Sequence, residues 1–136
     1  MKWVMNYLLS QCMTNSYKLA ERTNSDVNSS VTYKTDLEQY STPEFWKEAG
    51  AFGDCEDYAL RKRELFLKAG FARKDLHLAC CWCETGEYHA VLLCNTSKGW
   101  FVLDNRYTWP MSPKSLPYHW DKALDEVDGK WYELSF

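Results

Sequence analysis

No apolar run in this 136-residue sequence is long enough to cross a bilayer. The longest stretches are short and interrupted, as in Tyr88 to Cys94, whereas a spanning helix needs ~20 apolar residues. Basic charge is not in excess either. Sixteen Lys and Arg stand against nineteen Asp and Glu for a net charge of -3, and no basic stripe follows a phosphate backbone, so nucleic acid is excluded as a partner. The N-terminus has one charge and a weak apolar patch broken by Asn6, which is not the pattern of a secretory signal. A cytoplasmic location away from membranes is expected.

Paired metal-ligand spacings are missing too. Cysteines occur at 12, 55, 80, 81, 83 and 94, with no paired CxxC or HxxxH spacing among them. Cys80, Cys81 and Cys83 crowd one strand-like segment in which neighbours point to opposite faces, so reduced thiols fit better than a disulfide framework or a zinc site. What the chain does have is core material. Hydrophobic residues make up 46% and aromatics 16%, enough for one folded domain over residues 1–136 and too much for wholesale disorder.

The most informative stretch is Gly53-Asp54-Cys55-Glu56-Asp57-Tyr58, a glycine turn that breaks into an amphipathic helix with cysteine at its first position. At about 100° per residue, Cys55, Tyr58, Ala59, Leu65, Phe66 and Ala69 share one face. Glu56, Asp57, Arg61, Arg63, Glu64 and Lys68 lie mostly outside it, and Lys62 alone intrudes on the apolar stripe. Asp54 suits the N-cap, Asp57 completes an acidic capping box, and Gly70 sits where a C′ residue belongs. A thiol in the first turn feels the positive end of the helix, which favours thiolate. The alternative is that Cys55 is a small buried apolar residue.

Upstream, residues 2–22 are loosely helical and end in a polar segment, Arg22 to Ser30. Val31 to Tyr33 is extended, Asp36 to Tyr40 forms a turn or brief helix, and Ser41 to Trp46 starts a helix with Thr42 as cap and Pro43 at its first position. Trp46 then lies within one loop of Cys55. After Gly70 the period changes to two: Leu76, Leu78, Cys80 and Trp82 alternate with His77, Ala79, Cys81 and Cys83. Turns at 84–87 and 95–99 separate further strands over Tyr88 to Cys94 and Trp100 to Asn105, an antiparallel meander. In the tail, a helical stretch is expected over Asp121 to Val127, a turn at Asp128-Gly129, and a last strand from Lys130 to Phe136 on the sheet edge.

If the last hairpin of the meander turns between Thr96 and Ser97, His89 faces Asp104, with Cβ atoms about 4.5–5.5 Å apart. Taken singly, His89 reads as a satisfied core histidine and Asp104 as a strand-end turn former. Facing each other on apolar strands, they relieve each other of buried unpaired polarity. His77 and His119 have no such partner and read as structural or exposed.

The blocks Gly53-Asp54-Cys55-Glu56-Asp57-Tyr58-Ala59, Glu87-Tyr88-His89-Ala90-Val91-Leu92 and Val102-Leu103-Asp104-Asn105 together resemble the bacterial transglutaminase-like cysteine peptidases. That group includes periplasmic proteases acting on biofilm adhesins. Val27-Asn28, Tyr33, Asp36, Thr42-Pro43 and Trp46 are similar in the same order, so the resemblance runs from about residue 27 to residue 106. It implies an α+β, papain-like fold in which N-terminal helices, one carrying the nucleophile at its N-terminus, pack on an antiparallel sheet. Cys55 is then the nucleophile, His89 the general base and acid, and Asp104 the group that orients the imidazole, in a hydrolase that cuts a peptide or amide bond of a protein or peptide through a thioester acyl-enzyme. The alternatives are an acyltransferase using the same triad and a non-catalytic peptide-binding module.

Adhesin-cleaving members are associated with calcium beside the nucleophile, and the matching acids here are Asp54, Glu56 and Asp57; no other cofactor is implied. Cap and helix-end charge also account for Asp54 and Glu56. The chain departs from the exported relatives in lacking a convincing signal and in having five further cysteines. Its short length suggests a stripped-down version that a compact phage or mobile-element genome could encode, so adhesin cleavage is not carried over.

Overall fold

In the computed structural model the described residues are 2–30, 32–33 and 52–136, with side chains described for 16–30 and 54–136. The expected turn over Asp36–Tyr40, the helix start at Ser41–Trp46, and the side chain of Cys12 lie outside them. The elements in order are α1 (Lys2–Ser30), β1 (Thr32–Tyr33), β2 (Phe52–Gly53), α2 (Cys55–Lys68), β3 (Leu76–Trp82), β4 (Tyr88–Thr96), β5 (Gly99–Leu103), β6 (His119–Leu124) and β7 (Trp131–Glu133). Two helices pack on a five-stranded antiparallel sheet of order β5-β4-β3-β6-β7, an α+β fold. No described helix is long and apolar enough to cross a membrane.

The alternation in β3 sorts its side chains between two cores. Leu76 and Leu78 join Leu92, Cys94 and Leu103 beneath Ala20 of α1 and Ala59 and Phe66 of α2. Ala79, Val91, Leu93 and Val102 face the other way, where Leu116 and the half-buried Tyr107, Met111 and Trp120 cover them. Both faces of β3 and β4 are therefore largely dry, which is why these two strands are rich in apolar residues on both sides.

α2 ends as its sequence foretells. The Gly70 N–H bonds the Leu67 carbonyl at 3.1 Å and the Phe71 N–H bonds the Phe66 carbonyl at 3.0 Å, the paired bonds of a Schellman motif. Its apolar clasp is the edge-to-face contact of Phe66 with Phe71, ring centroids 4.9 Å apart. Asp57, expected outside the apolar face, is buried because its carboxylate turns back into the cap, while Ala69 is exposed at the frayed end.

Two segments differ from expectation. The polar stretch Arg22 to Ser30 continues α1 to its end. Low helix propensity there is overridden by tertiary contacts, since Val27 packs on Tyr58 and two asparagines find partners on a distant loop. Residues 119–124 form strand β6, not a helix, because β3 offers an open edge whose backbone groups β6 satisfies, with a bulge between Cys80 and Cys81. The last strand does lie on the sheet edge, over Trp131–Glu133 only.

Gly70 has φ +92°, and nothing lies within 4 Å of a Cβ added there, so the cost of Gly70→Ala is conformational alone. A loss of about 1–2 kcal/mol is expected. Urea unfolding should show a lower midpoint at unchanged slope; an unchanged midpoint would mean that the helix end does not depend on the left-handed residue.

Candidate active site

Cys55 is placed by three constraints. Parallel pairing of β2 with β1, Phe52 beside Thr32 and Gly53 beside Tyr33, fixes the chain just ahead of it. Asp54 then takes an extended backbone, and Asp57 Oδ2 accepts the Asp54 N–H at 3.1 Å, so α2 starts on the cysteine. The third constraint is the end of β5. Its ladder with β4 stops at the Leu103–Leu92 pair, and beyond that point the Ala90 backbone of β4 favours charge on the Cys55 sulfur. The thiol, 8% exposed, thus meets the backbone one residue from His89.

Cys55 Sγ donates to Glu56 Oε2 at 3.4 Å. Burial, then the Glu56 charge, pushes the Cys55 thiol far above the ordinary cysteine range, with only the Ala90 N–H pulling it down. The lowering expected from the helix N-terminus does not win. Glu56 is itself raised to about 8, first by burial and then by the hydrogen bond it shares with Asp54.

His89 and Asp104 are joined directly. His89 Nε2 donates to Asp104 Oδ1 at 2.8 Å. The register is not the one expected: the hairpin turns at Ser97-Lys98, with Thr96 paired to Gly99, so Asp104 lies diagonal to His89 rather than opposite. A slip of two residues keeps side chains on the same face, and the pair survives it. Burial alone would raise the Asp104 carboxyl. The His89 hydrogen bond and charge, the Tyr118 hydroxyl on Oδ2 and the Arg106 N–H on Oδ1 at 2.9 Å outweigh it and hold the carboxylate below its ordinary range.

Residues 6–135 match the family model described as bacterial transglutaminase-like cysteine proteinase, BTLCP. The chain belongs to that family of cysteine peptidases. No curated protein matches it. Among solved structures it is similar in fold to Legionella pneumophila LapG. Against calcium-bound LapG the TM-score is 0.69 at 20% identity over 85% of this chain and 67% of LapG. Against EGTA-treated LapG it is 0.70 at 20% identity over 87% and 67%. A further LapG structure gives 0.66 at 22% identity over 79% and 64%, so the chain spans about two-thirds of LapG's length.

Other residues of this peptidase surround the pair, and of them only Asn28 was singled out in the sequence, as part of the family resemblance. Tyr118 holds Asp104 and sets its ring edge-on to His89, with centroids 5.8 Å apart. Arg106 donates to the Tyr118 hydroxyl at 3.2 Å and is anchored by Glu84. On α1, Asn28 donates to the carbonyls of Asp104 and Tyr107, both at 2.9 Å, and Asn24 to those of Tyr107 and Thr108 at 2.8 and 3.0 Å. The Asn24/Asn28 spacing of one helical turn is a further signal. His77 bonds the Leu124 carbonyl at 2.9 Å and stacks on Trp100, while His119 is exposed. The described cysteines are all free and buried.

A cavity of about 250 Å³ opens beside His89, lined also by Glu56, Cys80, Tyr88, Lys122 and Trp131. A larger one, about 380 Å³, between His77, Trp100, Tyr132 and Phe136 holds no nucleophile and base together. Of the three acids expected to bind calcium, Asp54 and Glu56 share a hydrogen bond, whereas Asp57 is committed to the cap. Calcium takes six to eight oxygens, and among the described residues no three His, Cys, Asp or Glu side chains gather where they could hold a metal. The carboxyl pair suits a hard cation; the described residues supply only that part of a donor set.

The folded chain keeps a proton on Glu56 that the unfolded chain gives up from about pH 4.5, so its contribution to stability is lost as pH rises toward about 8. In EGTA, wild type should lose melting temperature relative to Glu56→Gln across that window. Parallel curves for the two proteins would refute the shared proton.

Proposed function

We propose that this chain is a cysteine hydrolase that cuts a peptide or amide bond with Cys55, His89 and Asp104 as its triad. The observation that carries the reading is the 2.8 Å bond from His89 Nε2 to Asp104. It commits one ring nitrogen to the carboxylate, leaves Nδ1 for the thiol proton, and stabilises the imidazolium that forms. A lone Cys55 thiolate is disfavoured by burial and by Glu56. Transfer of its proton to His89 makes an ion pair with no net charge, which the same dry surroundings tolerate.

The thiolate attacks the substrate carbonyl carbon, and the oxyanion that develops lies at the start of α2, where the Cys55 N–H has no helical partner and can donate. The imidazolium gives its proton to the leaving amine as the C–N bond breaks. Water, deprotonated by His89, then attacks the thioester and releases the acid and the thiol. An amine in place of water would turn the same intermediate to acyl transfer. The substrate in this reading is a protein or peptide, as the family's proteinase activity supports.

Calcium enters only as a ligand of the Asp54–Glu56 pair, where it would supply positive charge beside the thiol in place of the shared proton. Calcium added to EGTA-treated protein is expected to raise the melting temperature of wild type and not of Glu56→Gln; an indifferent wild type removes calcium from the reading.

Cys55→Ala and His89→Ala should abolish turnover with the fold intact, Asp104→Ala should weaken it severely, and replacing Cys12 or Cys83 should do little. Before a substrate is in hand, iodoacetamide labelling across pH, mapped by mass spectrometry, reads the same chemistry. Selective labelling of Cys55 that is lost in His89→Ala is expected; uniform slow labelling of all cysteines would favour a binding module with the same fold.

A further inference from the structure

The cavity beside His89 has two chemically different ends. At one end stands Glu56, which accepts a hydrogen bond from the Cys55 thiol at 3.4 Å, so this end faces the proposed nucleophile. At the other stands Lys122 of β6, half-buried, with its Nζ 5.0 Å from the centroid of the Trp131 ring. Strand register brings them to one space. Ala90 pairs with Cys80 and Cys80 with Lys122, so the three side chains stand in one row across β4, β3 and β6. The row lies on the face that packs against α2 further along, two residues from Leu92 and Leu78. Near the start of α2 the same face carries Tyr88, Trp82 and Trp131, which are 40–47% exposed.

What holds Lys122 is an aromatic ring and not an acid. Among the described residues no carboxylate makes an ion pair with it. Asp121, its chain neighbour, accepts the Tyr88 hydroxyl, and Glu133, opposite on β7, lines the larger cavity instead. A ring face attracts the ammonium without consuming any of its three N–H donors. Those donors are available at the far end of the cavity, and the group that answers them best is a carboxylate. Size favours a side chain over a free small molecule. The cavity holds about 250 Å³, below the ~300–1,000 Å³ of ordinary ligand pockets. Two strand spacings separate Ala90 from Lys122, roughly 10 Å, or about three residues of extended chain.

We propose that this cavity is a substrate subsite in which Lys122 selects an acidic side chain, Asp or Glu, within about three residues of the bond to be cut. This rests on the triad reading above, which makes the Glu56 and His89 end the place of cleavage. Lys122 acts on specificity and not on the chemical step.

The probes are N-iodoacetyl-glutamate amide and N-iodoacetyl-glycyl-glutamate amide, with glutamine and arginine counterparts of each. Their iodoacetyl group alkylates Cys55 whichever way a peptide substrate runs, and amidation leaves the side chain as the only charge. Rates at Cys55 are read by mass spectrometry at pH 7. Wild type is expected to take the glutamate probe about fivefold faster than the glutamine probe at one length or both, the size of a partly exposed ion pair. The preference should vanish in Lys122→Met and pass to the arginine probe in Lys122→Glu. Lys114→Met, which removes an exposed cation outside the cavity, should leave it unchanged. Equal rates for the glutamate and glutamine probes in wild type at both lengths overturn the proposal. So does a preference that survives Lys122→Met, or one that Lys114→Met removes as well, since the overall field would then account for it. Plain iodoacetamide separates the two readings. It should label Cys55 equally fast in wild type and Lys122→Met, and a slower variant would place Lys122 in the chemistry and overturn its role in selection. Wild-type labelling no faster at Cys55 than at the other cysteines is a separate failure, that of the triad itself.

Discussion

A carboxylate withdrawn from water must be met by donors, and the bonds of Asp104 organise this end of the molecule. His89, the Arg106 backbone and the Tyr118 hydroxyl converge on its two oxygens, while Asn28 of α1 takes its carbonyl. Each donor comes from a different part of the chain. Removing the carboxylate would leave an imidazole and a phenol facing a dry space, so the site and the packing around it depend on the same group.

The environment of Cys55 shows how two opposed effects are decided by size. A helix N-terminus is worth about 0.3–1 kcal/mol to a nearby negative charge, and up to ~2 in favourable geometry. Full burial shifts an ionisable group by as much as ~3–5 pKa units, several times more. With Glu56 and Asp54 added on the unfavourable side, desolvation prevails. Ionisation of Cys55 alone is therefore unfavourable, and in the proposed reading the thiol reacts only by giving its proton to an acceptor inside the site, the role that reading gives to His89.

Local and periodic features were legible in the sequence. The start and end of α2 followed from Asp54, Asp57 and Gly70, and the meander from its period of two. The His89–Asp104 pair was legible even though the turn lay one residue further on, because strand register in steps of two preserves facing sides. Contacts set by tertiary structure were not legible. Tyr118 precedes a segment that read as helical and proved to be β6, and nothing local to it encodes a bond to Asp104. Asn24 and Asn28 fell in the polar segment that follows the helical pattern of residues 2–22, because their partners are the carbonyls of a loop about eighty residues away. Lys62 was visible as an intruder on an apolar face, but not its complete burial.

The span of chain that meets at Asp104 has a further consequence for how the molecule assembles. Its partners run from Asn28 to Tyr118, and the bond from Asn28 spans 76 residues, among the longest separations of the described hydrogen bonds. Contacts closing large loops bear their entropy cost before they return anything, and they tend to form late. A chain emerging in order would complete the helix bearing the thiol well before the strand and loop that supply its acid and its tyrosine. During that interval Cys55 stands on a formed helix while the imidazole and the phenol that converge on Asp104 have yet to meet it.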